Sequence, residues 1–406
     1  MSLFNLLKSN QKSTSPRIYL DTASGTGIDQ EVLDAITTYQ AQSFGNPSSL
    51  HQEGNRAKED LHQARQAILD FLGDRKGQLI FTASGTEANN LAVFGSVWVY
   101  EKKQIRAKGS IVTSSLEHLS IVKPVENLAS RGWSTVTIKV DEKGELDFSS
   151  LKAVLEARLD VVLISLIYGH NEIGTVWPIA DIGQFVEKLR IKRGSVYPLF
   201  HIDACQAPRF LDLQVAKLKV DLMTLNGSKV YGPKGVGALY VKAGINLEPF
   251  ILGGGQEGGL RSGTENVAGA IGLARALKLC AQKKDVDNLA LVEKRDWLEQ
   301  ELIKAIPGIV IHGRSTNRLP HNLNFTVPEV ESELLLIALD ELGFAVSTGS
   351  ACSLNKDRDN RILTVLYGQA PKEASVRLSL DRKITKKDLQ QFLTAIIKII
   401  NRQRDM

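Results

Sequence analysis

Several residues of this sequence stand where short apolar runs end, and their types can do chemistry. Lys229 follows VDLMTL through Asn226-Gly227-Ser228, and Asp203 closes VYPLFHID with Gln206 just beyond it. His118 closes IVTSSLEH, and Asn171 lies in GHNEIG after DVVLISLIY. Cys352 stands apart in VSTGSACSLNKDRDN, a thiol set among glycine, serine and alanine and followed at once by charges. An amine, a carboxylate, an imidazole and a thiol together cover nucleophilic and acid–base catalysis. The turn Ser84-Gly85-Thr86 adds another element, because a small-residue turn opening a helix presents free N–H groups and a positive dipole end to an anion.

Each feature alone has a plainer reading. Serine and threonine are ordinary helix caps, an acid and a lysine at neighbouring strand ends form salt bridges, and an isolated histidine is often a satisfied polar residue. Taken together they fit a pyridoxal 5'-phosphate site, which needs a lysine for the imine, a carboxylate on the pyridine nitrogen and a phosphate cup. Lys234, in the turn YGPKG, competes for the imine role, but Lys229 directly follows a strand and is preferred. No Walker-type glycine–lysine pattern is present, so a nucleoside triphosphate is not indicated.

The elements that must position these residues are legible as alternation. From Gln78 to Val241 the runs QLIFTA, SIVTSS, STVTIKV, DVVLISLIY, VYPLFHID, VDLMTL and GALYV alternate with helical patterns. This predicts an α/β fold with a mostly parallel sheet, whose ligands sit beyond the carboxyl ends of the strands. The passage GGGQEGGLRSG closes this block; charged helical patterns around Val286 to Ile306, the short strands HNLNFTV and SVRLSL, and a helix near Lys387 to Ile400 predict a smaller α+β domain. The expected division is a flexible extension over residues 1–17, a large cofactor-binding domain over 31–265, and a small domain built from 18–30 and 266–406 that carries the Cys352 loop.

Composition narrows the class. The 406 residues exceed the size of a single core, and 43% hydrophobic with 23% charged residues match a globular protein. No apolar run approaches the ~20 residues that span a bilayer, so no membrane insertion is expected. A formal charge of +5 without a basic block gives no reason to expect nucleic acid. Three scattered cysteines suit a reducing compartment and no metal knuckle, so a cytoplasmic protein without a metal is expected. The polar, basic N-terminal segment leaves organellar targeting open.

The ordered series YLDTASGT, FGNPSSLH, FTASGTEANNLA, SLEH, NEIGTVWPI, HIDACQ, VDLMTLNGSKVYGPKGVGALYV, GGGQEGGLRSGTENV, STGSAC and SVRLSL resembles the cysteine desulfurases of the NifS/IscS type. These are class V aminotransferases of the pyridoxal-phosphate fold type I, and the resemblance runs from about Tyr19 to Ala395. It implies that Lys229 forms the imine with pyridoxal 5'-phosphate, Asp203 holds the pyridinium, Gln206 bonds the ring hydroxyl and His118 stacks on the ring and carries protons. Asn171 would touch both cofactor and substrate, and Gly85, Thr86, Asn226 and Ser228 would cradle the phosphate. Thr264 would reach across from the second subunit of a homodimer. Arg377 would hold the carboxylate of L-cysteine, a task suited to its planar fork. Cys352 would attack the substrate sulfur, release alanine and carry a persulfide to an acceptor protein, such as an iron–sulfur scaffold or a component of tRNA or cofactor thiolation. Cys205 and Cys280 are expected to be small buried residues.

The sequence departs from the family pattern at Ser228, usually histidine, and at His170, often asparagine. The charged run SLNKDRDNR after Cys352 is long, which suits the branch whose cysteine loop moves. Related readings are a selenocysteine lyase or aminotransferase, which would turn over without Cys352, and a noncatalytic sulfur-transfer scaffold, which would release no alanine.

Overall fold

The computed structural model describes residues 17–103, 108–314, 317–347, 361–368 and 374–405. Its chain enters through β1 (Ile18–Tyr19), α1 (Gln30–Gln42) and α2 (Gln52–Leu72). The apolar runs then build one seven-stranded sheet from β2 (Gln78–Thr82), β3 (Ser110–Ser114), β4 (Ser134–Ile138), β5 (Val161–Ile167), β6 (Leu199–Asp203), β7 (Leu222–Asn226) and β8 (Gly237–Val241). The spatial order is β2-β8-β7-β6-β5-β3-β4. Only β8 runs against its neighbours, so the carboxyl ends of all the other strands open on one side. That edge is where an α/β sheet places its ligand.

Between the strands lie α3 (Gly85–Lys103), α4 (Leu119–Ser130), α5 (Phe148–Ala157), α6 (Ile179–Arg193) and the single turn α7 (Val215–Leu218). β5 and β6 are buried along their whole length because helices cover both faces of the sheet. Leu166, Phe200, Ile202 and Met223 belong to the core on one face, while Ile111, Leu163, Leu222 and Leu239 pack with Leu91 and Val97 of α3 on the other.

A helix of 39 residues, α8 (Val267–Ala305), follows the glycine-rich passage. Val267, Leu273, Leu277 and Cys280 still belong to the core of the sheet, whereas Leu291, Leu298 and Leu302 enter a second core. The charged stretch between them reads as a break in hydrophobicity, but it contains no glycine or proline and the helix runs through it. The second core is closed by β9 (Val310–His312), β10 (Asn322–Val327), α9 (Ser332–Glu341), β11 (Phe344–Ala345), β12 (Ala374–Ser379) and α11 (Lys386–Arg404), whereas Ile362, Leu363 and Leu366 of α10 (Arg361–Tyr367) pack into the core of the large sheet. Here β12, β10 and β9 form an antiparallel sheet, and β11 pairs with β1. The final helix starts on a capping box between Thr385 and Asp388, and its apolar stripe of Leu389, Phe392, Ile396 and Ile400 is buried.

Residues 1–16 and the segment containing Cys352 lie outside the described residues. Among the described residues no helix is long and apolar enough to cross a membrane.

Candidate active site

At the carboxyl edge of the sheet an open cavity, with about 450 Å³ of space including its mouth, is lined by residues from five strand ends. After β2 come Gly85 and Thr86, after β3 His118, after β5 Asn171, at and after β6 Asp203 and Gln206, and at and after β7 Asn226 and Lys229. Each of these is a candidate named from sequence. Lys234 is exposed and does not line the cavity, which separates the two lysines.

Lys229 ends a 3-10 turn, Gly227–Lys229, that leaves β7 without a spacer. A Cβ on Gly227 would stand 2.6 Å from the Pro233 carbonyl oxygen, so only glycine lets this turn lie flat on the YGPKG segment. The Lys229 amine donates to the Ser24 carbonyl at 2.6 Å. Burial lowers its pKa; among the nearby charges, Arg377 reinforces that shift and Asp21 and Asp203 oppose it. The amine is therefore easier to deprotonate, and so to use as a nucleophile or base, than an ordinary lysine.

Asp203 closes β6 with its carboxylate buried. Oδ1 accepts from the Cys205 N–H at 3.0 Å, and Oδ2 accepts from Asn89 Nδ2 at 2.7 Å. Gln206 is buried beside it and donates to the Ala23 carbonyl at 2.9 Å. His118 is the N-cap of α4, its ring exposed on the cavity while Nδ1 accepts from the Ser120 N–H at 3.1 Å. Burial lowers the His118 pKa, Asp203 opposes the shift, and Lys229 and Arg361 add to it.

The first turn of α3 forms the opposite end. Gly85 and Thr86 precede the first helical bond, Ala88 N–H to Ser84 O at 3.1 Å, so their N–H groups are those that a helix start offers to an anion. A Cβ on Gly85 would lie 2.6 Å from Cys205 Sγ and 3.3 Å from Asn226, so the backbone here is pressed against the β6 and β7 ends. Pyridoxal 5'-phosphate fits this donor set. The cavity offers an amine on Lys229, a buried carboxylate on Asp203 for the ring nitrogen, the His118 imidazole, and a glycine-tight helix start for the phosphate.

Among the described residues, three of those expected at the site do not line the cavity. Ser228 donates its hydroxyl to Asn226 Oδ1 at 3.1 Å, bracing Asn226. Thr264 is exposed, away from the cavity of its own chain. Arg377, on β12, is buried and donates to Asp21 Oδ1 at 2.7 Å and Ser24 Oγ at 2.6 Å. Ser24 thereby touches both Arg377 and Lys229, and the second core meets the sheet edge through it.

Cys205 corrects its expectation. It lines the cavity and is only half-buried, although its thiol is pushed well up by burial, with the Asp203 charge adding to the shift. It is consequently a poor thiolate. Cys280 is buried on α8, as its position on an apolar helix face implies.

Sequence reasoning missed Asn89, Ser120, Glu117 and Arg361. Asn89 lies four residues after Gly85 on α3, a spacing that puts both on one helix face and could have found it. Glu117 is buried and accepts from Ser114 Oγ at 2.7 Å and the Ile167 N–H at 3.0 Å, joining the ends of β3 and β5; burial pushes its pKa up to about 8. Arg361, the first residue of α10, donates to the Ser115 and Glu117 carbonyls at 3.0 and 2.5 Å, fastening that helix beside His118. The unusual His170 is a pin for its turn: its ring bonds the Leu116 carbonyl at 2.9 Å and accepts from the Glu172 and Ile173 N–H groups at 3.2 Å each. Burial lowers its pKa to about 3, so it stays neutral.

Comparison with known proteins places this geometry. The family model for class-V aminotransferases matches residues 18–392. The cysteine desulfurase IscS of Dictyoglomus turgidum is 37% identical over 391 residues, 95% of each chain. The IscS of Methanosarcina thermophila is 35% identical, covering 100% of this chain and 97% of its own. Among solved structures, a NifS-like protein superposes with a TM-score of 0.86 at 28% identity, covering 95% of this chain and 99% of its own. These relatives share the pyridoxal-phosphate fold type I, and the chain belongs to the class-V aminotransferase family, in its cysteine desulfurase branch.

Proposed function

We propose that the protein takes sulfur from L-cysteine, releases L-alanine, and holds the sulfur as a persulfide on Cys352. The observation that carries this reading is the convergence of Lys229, Asp203, His118, Asn171 and the Gly85–Thr86 turn on one cavity. A structural neighbour 31% identical to the chain over 89% of its length, described as SspA in complex with cysteine, supports cysteine as the substrate.

Bound pyridoxal phosphate supplies the electron sink that weakens the bonds around the substrate's α- and β-carbons. The chain's own residues provide the rest. Asp203 would hold the ring nitrogen and keep it protonated, and Gln206 would bond the ring hydroxyl. The Lys229 amine, its pKa lowered by burial, would hold the cofactor and is suited to accept a proton. Asn171 would contact cofactor and substrate, and Arg377 would recognise the substrate carboxylate. In the sulfur step the Cys352 thiolate attacks the substrate sulfur: the new S–S bond forms as the C–S bond breaks, and the substrate's carbon skeleton leaves as alanine after protonation.

The working unit we propose is a homodimer. Thr264 is exposed away from its own cavity, and Phe44, Leu50 and Leu252 expose large apolar surfaces that a second copy would cover. Cys352 would deliver sulfur to an acceptor protein for iron–sulfur assembly or for thiolation of tRNA or a cofactor, in the cytoplasm. Mass spectrometry of the protein after a single turnover with L-cysteine tests the assignment. The added sulfur is expected on the peptide containing Cys352, and its appearance on Cys205 or Cys280 instead would overturn it.

A further inference from the structure

His118 does not stand alone in the cavity wall; a chain of buried hydrogen bonds runs from it to Asp203. Asn89 Nδ2 donates to Asp203 Oδ2 at 2.7 Å and to Ser120 Oγ at 2.8 Å. Ser120 Oγ lies 2.7 Å from His118 Nδ1, and the Ser120 N–H donates to the same nitrogen at 3.1 Å. Asn89 and Ser120 are both buried.

The direction of every proton in this chain follows from one fixed point. An ionised carboxylate only accepts, so the asparagine must turn its NH₂ toward Asp203. That leaves the second hydrogen of Nδ2 for Ser120 Oγ, while Asn89 Oδ1 finds no partner among the described residues. With its oxygen accepting from Asn89, the Ser120 hydroxyl hydrogen points to His118 Nδ1. Two donors, the backbone N–H and the hydroxyl of one serine, thus converge on Nδ1 and require it to be unprotonated. The neutral ring then carries its proton on Nε2.

We propose that Ser120 is a positioning residue that, held by Asn89 and Asp203, locks His118 in the Nε2–H tautomer. His118 thereby presents a hydrogen-bond donor to the cavity, and taking up a proton falls to the Lys229 amine. The inference rests on the reading of this cavity as the cofactor site. Asp203 at the end of β6, Lys229 after β7, Arg361 at the start of α10 and His170 beyond β5 are the charged or titratable groups around His118, with Glu117 preceding it in the chain. Only Asp203 in this set favours the imidazolium, and its Oδ2 is already engaged by Asn89.

The test is nitrogen NMR of the cofactor-loaded protein labelled with 15N-histidine, the His118 signals being those lost in His118→Asn. The wild type is expected to show a protonated Nε2 and an unprotonated Nδ1. Ser120→Ala removes one donor to the neutral ring, so both tautomers should appear and the pH of protonation should rise by about half to one unit, the equivalent of one net hydrogen bond. Ser120→Thr keeps the hydroxyl and should restore the wild-type signals. An Nδ1–H ring in the wild type, or a Ser120→Ala spectrum and titration identical to wild type, would overturn the proposal. Should Ser120→Ala not fold, the wild-type tautomer decides alone. Alanine release is measured on the same sample, so an Nε2–H ring in a protein that releases none would sink the desulfurase reading and leave the tautomer lock standing.

Discussion

Arg377, buried, and Asp21, half-buried, form an ion pair at 2.7 Å, and the same guanidinium nitrogen, Nη2, also donates to Ser24 Oγ. Both hydrogens of Nη2 are thus engaged. The end-on and side-on faces through which an arginine grips a carboxylate both include this nitrogen. A substrate carboxylate must therefore compete with Asp21 or accept from the remaining donors, and the buried Nε is one without a partner among the described residues. Arg377→Lys keeps the charge but loses the fork. The expected result is a KM for cysteine raised about tenfold, near 1.4 kcal/mol, with kcat less affected. Steady-state kinetics with both products monitored would show it, and an unchanged KM would remove Arg377 from substrate recognition.

Lys229 and Lys234 lie five residues apart, yet only the first lines the cavity. Lys229→Ala should lose the visible absorbance of bound cofactor and all alanine release. Lys234→Ala should retain both. Absorbance spectra and alanine assays of the two variants separate the roles.

The tight seat of Gly85 gives a steric test. Its backbone lies so near Cys205 that an added methyl would stand 2.6 Å from the sulfur. Gly85→Ala should weaken pyridoxal phosphate binding by at least about fivefold, since forced overpacking costs about 1–3 kcal/mol. Adding Cys205→Ala vacates the clashing atom and should recover part of the loss. Titration of apoprotein with cofactor measures both, and a single variant that binds like wild type would contradict the account of the cup.

Stability should fall on the acid side of neutrality. Burial lowers the pKa of His170 to about 3 and of His201 and His312 to about 4. These rings stay neutral in the fold but bind protons when unfolded, so their contribution is full above the ordinary value of ~6.5 and is lost as pH drops toward the depressed values. Glu117 acts in the opposite sense. Its raised pKa makes its contribution full below the ordinary carboxyl value and lost as pH rises through about 8. The urea midpoint is expected to decline from about pH 7 to about pH 5, and a flat profile would argue against the buried neutral histidines.

Much of this site is legible in the sequence because strand ends announce themselves. VYPLFHID and VDLMTL are apolar runs that stop at a polar residue, and in a parallel sheet that residue faces the ligand edge, which identifies Asp203 and Lys229. Asn89 and Ser120 are muted for the converse reason, and only the four-residue spacing of Asn89 from Gly85 points to either. They are polar residues on helices, where a buried position and a solvated one look alike until the partner is known. The pairing of Arg377 with Asp21 joins residues 356 positions apart and is fixed only by packing of β12 against the entering chain. The continuity of α8 was hidden by its charged middle, which belongs to neither core. The bond from the Ser228 hydroxyl to Asn226, two residues earlier, is likewise a contact that no motif announces.

The most direct measurement of the central claim is the joint yield of alanine and sulfide from L-cysteine with purified protein, pyridoxal phosphate and a reductant. Equal amounts of the two products are expected from the wild type. Cys352→Ala should retain the absorbance of bound cofactor and release neither at a comparable rate. No products from the wild type, or an undiminished yield from Cys352→Ala, would contradict a desulfurase that carries its sulfur on Cys352.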